Sequence, residues 1–200
     1  MTKKIEYSNR YFAGNHEALV AKLRGALSDF RFEHVLRVEA KALEFAEHLG
    51  VKDFEQVSVA ALVHDYAKER SAEEFQQVIV AKHLDPDLLN WGNAIWHGVV
   101  GAEMIHDELQ VTDEDILNAV RRHTTGDVFM TTLDKIIYMA DYIEDGRDFP
   151  GVDEVREVTF NNIDEGVAWQ TGHTLNYLMA KQALIYPKTI LTYNAWVAQK

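Results

Sequence analysis

The 200-residue chain contains no cysteine. Disulfides, thiolate zinc sites, iron–sulfur clusters and cysteine nucleophiles are therefore excluded, and the absence suits a reducing compartment. Proline occurs three times, at Pro86, Pro150 and Pro187, so long stretches are free of the residue that removes a helix hydrogen bond. Positive charge is scarce as well: 20 Lys and Arg face 32 Asp and Glu, a formal net charge of −12. That balance lacks the electrostatic footprint of a protein that neutralises the phosphates of a duplex, and it argues against nucleic acid and anionic membranes as partners. No apolar run approaches the ~20 residues of a bilayer span. The start, Met1-Thr-Lys-Lys-Ile-Glu-Tyr7, is basic but lacks the apolar stretch of a secretory signal. A soluble cytoplasmic protein is the expectation.

What is present is a 47% hydrophobic, 26% charged composition, ordinary for a packed globule. Its apolar residues recur every three to four positions, the period of an amphipathic helix. Helix starts are marked where a short polar side chain can accept from the free amides of the first turn: Asp53 with Gln56, Ser71 with Glu74, Thr112 with Asp115, and Asp85 before Pro86. Gly50, Gly126 and Gly146 read as helix ends. The pattern predicts about ten helices, at roughly 16–27, 30–49, 54–66, 72–81, 86–91, 98–109, 113–123, 133–144, 153–181 with a break, and 187–198. The fold class is all-α, a single helical domain over residues 15–198 behind an amino-terminal extension of residues 1–14.

Nine histidines are many for this length, and neutral imidazole is a common metal ligand. His34 lies on a helix face shared with Val38, Ala42 and Phe45. His64-Asp65 follows the apolar run Val59-Ala-Ala-Leu-Val63, and a buried aspartate there needs a compensating charge. Adjacent helical residues do not share a face, so a common ion requires the helix to tighten or end at this point. The chain's other His-Asp pair, His106-Asp107, precedes Glu108 in a charged helix end and reads as surface. His97 sits at a helix start beside Gly98 and Gly101, which permit close approach of a neighbour. His123 ends a helix before Thr124, Thr125 and Gly126. Asp141 lies on the apolar helix Ile136-Ile-Tyr-Met-Ala-Asp-Tyr-Ile143, where Arg147 is a candidate counter-charge. Four imidazoles and two carboxylates without thiolate suit iron, manganese, zinc or magnesium rather than a soft metal. Six ligands exceed one open catalytic ion, and a pair of metals bridged by one aspartate fits better.

His34, His64-Asp65 and Asp141 resemble the H…HD…D signature of the HD-domain metal-dependent phosphohydrolases. The fuller set, Arg31-Phe-Glu-His34, His64-Asp65-Tyr-Ala-Lys68, His97-Gly-Val-Val-Gly-Ala102, His123-Thr-Thr-Gly126, Leu133 through Glu144, Gly146-Arg-Asp-Phe-Pro-Gly151 and Tyr186 through Asn194, resembles the YqeK-like symmetrical bis(5′-nucleosyl)-tetraphosphatases from about residue 15 to about 195. The resemblance implies a helical HD domain with two metal ions, iron foremost with manganese an alternative. It implies cleavage of diadenosine tetraphosphate into two ADP, by a water activated between the metals that attacks a β-phosphorus. It would give His34, His64, Asp65 and Asp141 to one metal, and His97, His123 and the shared Asp65 to the other. Lys68 and Arg147 are expected on the substrate phosphates and counted with Asp65 as catalytic. Thr124, Thr125 and the Gly126 amide either contact phosphate or cap the preceding helix. Tyr142, Phe149 and Trp96 are the aromatics nearest the site. Other substrates of the same fold, a nucleoside mono- or triphosphate or a cyclic nucleotide, stay open, as does a nucleotide-sensing module without turnover. Exposed apolar residues in the carboxy-terminal helices, with Trp196 and Val197 near the end, suggest a homodimer.

Overall fold

A helix that is apolar on every side has to lie inside the protein, and α3 (Phe54–Val63) is the one around which the chain is organised. Residues Val57 to Val63 are all buried. In the computed structural model, which describes residues 5–198, α3 follows α1 (His16–Ala26) and α2 (Asp29–His48) and precedes α4 (Ala72–Ala81). A 3₁₀ helix (Pro86–Asn90) leads to α5 (Asn93–Val99), α6 (Gly101–Leu109), α7 (Glu114–Arg122) and α8 (Thr132–Ile143). The chain closes with α9 (Val152–Asn161), α10 (Ile163–Ala180) and α11 (Pro187–Trp196). No strand occurs among the described residues, and no helix among them is long and apolar enough to cross a membrane.

The core helix α3 packs on α2, α7 and α8; α8 packs in turn on α2, α7 and α10. Their apolar faces form one cluster that includes Val38, Phe45, Leu62, Ile116, Ile137 and Tyr138. A satellite cluster of Phe75, Ile79, Leu88, Trp96, Val100 and Met104 seals α4 and the 3₁₀ helix against α5 and α6. The segment before α1 joins the main core, since Tyr11 and Phe12 are buried there and the Tyr7 hydroxyl meets Ser58 Oγ at 2.8 Å.

Several helix starts form as their side chains dictate. Asp53 accepts from the Gln56 amide, Ser71 and Glu74 form a reciprocal capping box, and Asp85 accepts from the amide of Asp87 with Pro86 as first helical residue. The cap expected at Thr112 is one residue later. Asp113 Oδ1 accepts from the Ile116 amide and also from Gln56 Nε2, so the cap of α7 is tied to the first turn of α3 as well.

The helix expected from residue 98 is instead a pair, with α5 beginning at Asn93 and a break at Val100. His97 therefore lies inside the last turn of α5 rather than at a helix start. Both glycines there are demanded by proximity: a Cβ on Gly98 would stand 3.1 Å from the Val120 carbonyl of α7, and one on Gly101 3.0 Å from the Ala67 methyl. Residues 153–181 divide between α9 and α10 at Asn162, which caps α10.

Candidate metal centre

At the end of α3 the backbone tightens. Tyr66 donates to Val63 O at 2.9 Å and Lys68 to Asp65 O at 2.9 Å, three-residue turns that rotate successive side chains more than an α-helix does. This is how His64 and its neighbour Asp65 come to address the same space. Around them the structure gathers His34 from α2, His97 from α5, His123 at the end of α7 and Asp141 from α8. All four imidazoles and Asp65 are buried, while the Asp141 side chain remains 21% exposed.

Asp65 stands between two groups. Its Oδ2 faces Nε2 of His34 and Nε2 of His64, each at 3.7 Å, and these two nitrogens approach Asp141 Oδ1 at 3.1 and 3.9 Å. Its Oδ1 faces Nε2 of His97 and His123 at 3.5 and 3.6 Å. Every one of the six side chains expected at this site is thus brought to it, with one carboxylate oxygen directed to each half.

The outer ring nitrogens settle the protonation of the inner ones. His64 Nδ1 meets the Ala61 carbonyl at 2.7 Å, His123 Nδ1 the Val120 carbonyl at 2.7 Å, and His97 Nδ1 the Asn93 carbonyl at 2.6 Å. A carbonyl only accepts, so in each ring Nδ1 carries the proton and a neutral ring turns an Nε2 lone pair inward. His34 Nδ1 likewise donates to Glu144 Oε1 at 3.2 Å. Burial pushes His64 down to about 4 and His97, with His123 and Lys68 beside it, down to about 3, so both are neutral at physiological pH. Burial alone would raise Asp65 and Asp141. Both are nevertheless held well below the usual carboxylate range, with the guanidinium of Arg31 in direct contact with Asp65 and that of Arg147 with Asp141.

These donors fit cations. The buried atoms His34 Nε2, His64 Nε2 and Asp65 Oδ1 have no hydrogen-bond partner, and Nε2 of His97 stands 3.0 Å from Nε2 of His123. Two inward lone pairs at that distance repel unless a positive charge lies between them. His34, His64 and Asp141, and separately His64, Asp65 and His123, offer atoms within 4.8 Å of one another. Nitrogen and carboxylate oxygen without sulfur is the donor set of borderline to hard divalent ions.

Four cations ring the carboxylates. Arg31 Nη1 donates to Asp65 Oδ2 at 2.6 Å, Arg147 Nη2 to Asp141 Oδ1 at 2.7 Å, and Arg37 Nε to Glu144 Oε2 at 2.6 Å. The ammonium of Lys68 is 3.0 Å from His97 Nε2, and burial lowers its pKa. Thr124 Oγ1 lies 3.1 Å from Nε2 of both His97 and His123. Gly126 takes the capping alternative: its amide donates to Arg122 O at 2.8 Å, leaving no N–H for a phosphate. Its φ of +64° and the Thr192 methyl, 2.5 Å from where a Cβ would stand, explain the glycine. Thr125 is buried, with its hydroxyl donating to the Gly126 carbonyl.

Of the aromatics named beside the site, Trp96 is a core residue whose Nε1 donates to Leu88 O. Tyr142 packs on Phe149 at 4.9 Å and on Trp169 at 6.0 Å. Sequence alone gives Glu144, Arg31 and Arg37 no role; an acidic residue three positions after Asp141 is the one signal for Glu144.

The HD domain family model matches residues 31–146, a span that contains all six clustered side chains. The chain is 41% identical over 90% of its length to a symmetrical bis(5′-nucleosyl)-tetraphosphatase of Bacillus subtilis (strain 168), 96% of which it covers. It is 36% identical over 84% of its length to the Staphylococcus aureus (strain NCTC 8325 / PS 47) protein of that name, 87% of which it covers. A solved structure from Clostridium acetobutylicum, described as a predicted HD superfamily hydrolase involved in NAD metabolism, superposes with a TM-score of 0.85 at 30% identity, over 92% of this chain and 97% of the other. The chain belongs to the HD-domain metal-dependent phosphohydrolases and, within them, to the family of the symmetrical bis(5′-nucleosyl)-tetraphosphatases.

Proposed function

We propose that the protein hydrolyses diadenosine tetraphosphate symmetrically, yielding two ADP. The observation that carries this reading is Asp65 with one oxygen toward His34 and His64 and the other toward His97 and His123, in a family whose relatives bear that activity's name. His34, His64, Asp65 and Asp141 would hold one metal ion, and His97, His123 and Asp65 a second. The ions we propose are iron, with manganese as the alternative. When bound, such a pair lowers the pKa of a water and offsets charge on a phosphoryl group.

The remaining steps belong to the side chains. Lys68 and Arg147 contact the phosphates and offset the charge that accumulates on the departing ADP. Arg147 has a planar fork that suits phosphate oxygens, and it would exchange part of its contact with Asp141 for substrate once cations occupy the centre. Arg31 holds Asp65 ionised. Thr124 presents a hydroxyl to a phosphate or ribose oxygen at the second histidine pair. The four cationic groups against three carboxylates give the centre a positive balance inside a chain of −12, so a small polyanion is admitted where a long one is repelled. A cytoplasmic enzyme follows from this substrate.

The homodimer is expected from exposed apolar residues in the carboxy-terminal helices, Trp196 and Val197 among them. Trp196 turns inward, its Nε1 donating to Asp127 O at 2.8 Å with Lys135 over its ring. The exposed apolar residues of this region are Tyr177, Met179, Leu184, Ile190 and Leu191, and association would use them.

Metal analysis of the purified protein, with chromatography of the products from diadenosine tetraphosphate, tests the function. Two metal ions per chain and ADP alone are expected; AMP and ATP in equal amounts exclude the symmetric cleavage.

A further inference from the structure

Helix α2 reaches the metal centre at one turn and open solvent at the turn before it. Helical residues four apart share a face, so Phe30 stands before His34 on the side of α2 that addresses the centre. His34 is 2% exposed and Phe30 74%, which puts the ring at the rim. A lone exposed aromatic is ordinary on a protein surface, but this one has a placed neighbour. Arg31 Cζ lies 5.8 Å from the Phe30 ring centroid, within cation–π range, and Nη1 of the same guanidinium donates to Asp65 Oδ2 at 2.6 Å. From the centre outward the order is therefore bridging carboxylate, guanidinium, aromatic ring.

The two oxygens of Asp65 divide the centre, Oδ2 toward His34 and His64 and Oδ1 toward His97 and His123. A polyphosphate cut at its midpoint over this carboxylate runs one half across each histidine pair and carries its two terminal groups away in opposite directions. Arg31, on Asp65 Oδ2, and Arg147, on Asp141 Oδ1, belong to the Oδ2 half, and Phe30 lies beyond them. A ligand matched to that order is an anion that ends in a flat, uncharged group. Building on the hydrolase function, we propose that Phe30 is the stacking platform for the nucleoside of this half, and so a residue that favours dinucleoside over mononucleoside polyphosphates. Every base has a π-face, so an aromatic platform senses the presence of a second nucleoside rather than the identity of its base. Such a contact is made alike in the ground and transition states, so it sets KM rather than kcat.

Diadenosine tetraphosphate and adenosine tetraphosphate differ by the second nucleoside, and their comparison isolates it. With metal-loaded wild-type protein, kcat/KM should favour the dinucleotide. In Phe30→Ala and Phe30→Leu, KM for diadenosine tetraphosphate is expected to rise about fivefold to tenfold, the lower end of the range for a base on an aromatic side chain. Neither kcat nor KM for adenosine tetraphosphate should follow it. Phe30→Tyr keeps the ring and should match wild type. Because position 30 is exposed, none of these changes puts the fold at stake. A wild type that does not prefer the dinucleotide overturns the proposal, as does an unchanged KM in Phe30→Ala. So does an equal rise in KM for both compounds, which marks a damaged centre, or a shift of oligomeric state in Phe30→Ala with both KM values intact, which assigns the ring to a second copy of the chain. If wild-type protein cuts neither compound, the hydrolase reading falls, and the calorimetric affinities of the two compounds for the same four proteins decide the platform.

Discussion

The dipeptide His-Asp occurs twice in this chain, and its two occurrences share composition but not chemistry. His64-Asp65 ends an apolar core helix, is almost wholly enclosed, and has inward atoms with no hydrogen-bond partner, His64 Nε2 and Asp65 Oδ1. His106-Asp107 lies in the last turns of α6, with side chains 43% and 47% exposed. There His106 Nδ1 meets Asp107 Oδ1 at 2.8 Å and Lys82 Nζ meets Asp107 Oδ2 at 2.6 Å. In water a histidine and an aspartate satisfy each other and a nearby lysine, and little is gained beyond that. Inside the protein the same two groups have lost their water, and only cations repay the loss. What distinguishes a site from a surface pair is therefore the environment delivered by the preceding helix: five small or apolar residues before His64, against a charged segment around His106.

The contrast should be widest for Asp65, which alone addresses both halves of the centre. Asp65→Ala is expected to lower kcat by roughly 10³-fold or more, the scale on which losing a member of a catalytic unit is felt, and to strip bound metal. Asp107→Ala should leave both within about twofold by the same principle of environment. Metal content and turnover measured on the two variants decide it, and comparable losses would mean that burial did not separate the pairs. His123→Ala against His106→Ala repeats the comparison one step down: activity should vanish in the first and persist in the second, because only His123 turns its Nε2 toward Asp65.

Glu144 tests whether the buried pair depends on its supports. It touches neither Asp65 nor His64, but receives the Nδ1 proton of His34 and is held by Arg37 and the Gly146 amide. Gly146 is glycine because a Cβ would stand 2.5 Å from Arg37 Nε, not because its backbone is left-handed. Glu144→Gln is expected to weaken metal binding about 10- to 100-fold, while the protein stays folded by circular dichroism. Wild-type affinity in that variant would remove Glu144 from the centre.

These supports mark the limit of what could be read from the sequence. The helical class, the caps at Asp53 and Ser71, and the six clustered side chains were legible because each depends on local spacing or on an unusual residue in an apolar run. Helix α5 was not, since its cap is Gly92 with no side-chain hydrogen bond, so nothing polar announces it. The Arg37–Glu144 and Arg31–Asp65 pairs join residues 107 and 34 positions apart, and no local pattern connects them. The Gly126 amide was open to two uses from sequence, and only the fold of the turn after α7 commits it to Arg122.

Acidification separates the two pairs by stability rather than activity. His64 and His97 are held at about 4 and about 3 in the folded chain, whereas an unfolded histidine titrates near 6.5. Between those values the unfolded state binds protons that the native state refuses, so stability is complete above about pH 6.5 and is lost as pH falls toward 4. Each histidine contributes on the order of 1 kcal/mol per pH unit in that window. Urea unfolding of chelator-treated protein at pH 7 and pH 5 should show the loss, and His64→Gln should reduce it; a flat profile would contradict the burial argument.

The smallest effect belongs to the outer pair and completes the comparison. Lys82→Ala removes the ammonium that holds Asp107, and an ion pair this exposed is worth at most a few tenths of a kcal/mol after screening and side-chain entropy. Urea unfolding at low and at high salt should show a difference from wild type that is barely resolved at low salt and absent at high salt, with turnover unchanged. A loss of 2 kcal/mol or more, or one that survives salt, would mean that His106-Asp107 is part of a structured network. The charged segment would then be doing for the surface what the six clustered residues do for the core, and the distinction between the two dipeptides would be one of degree.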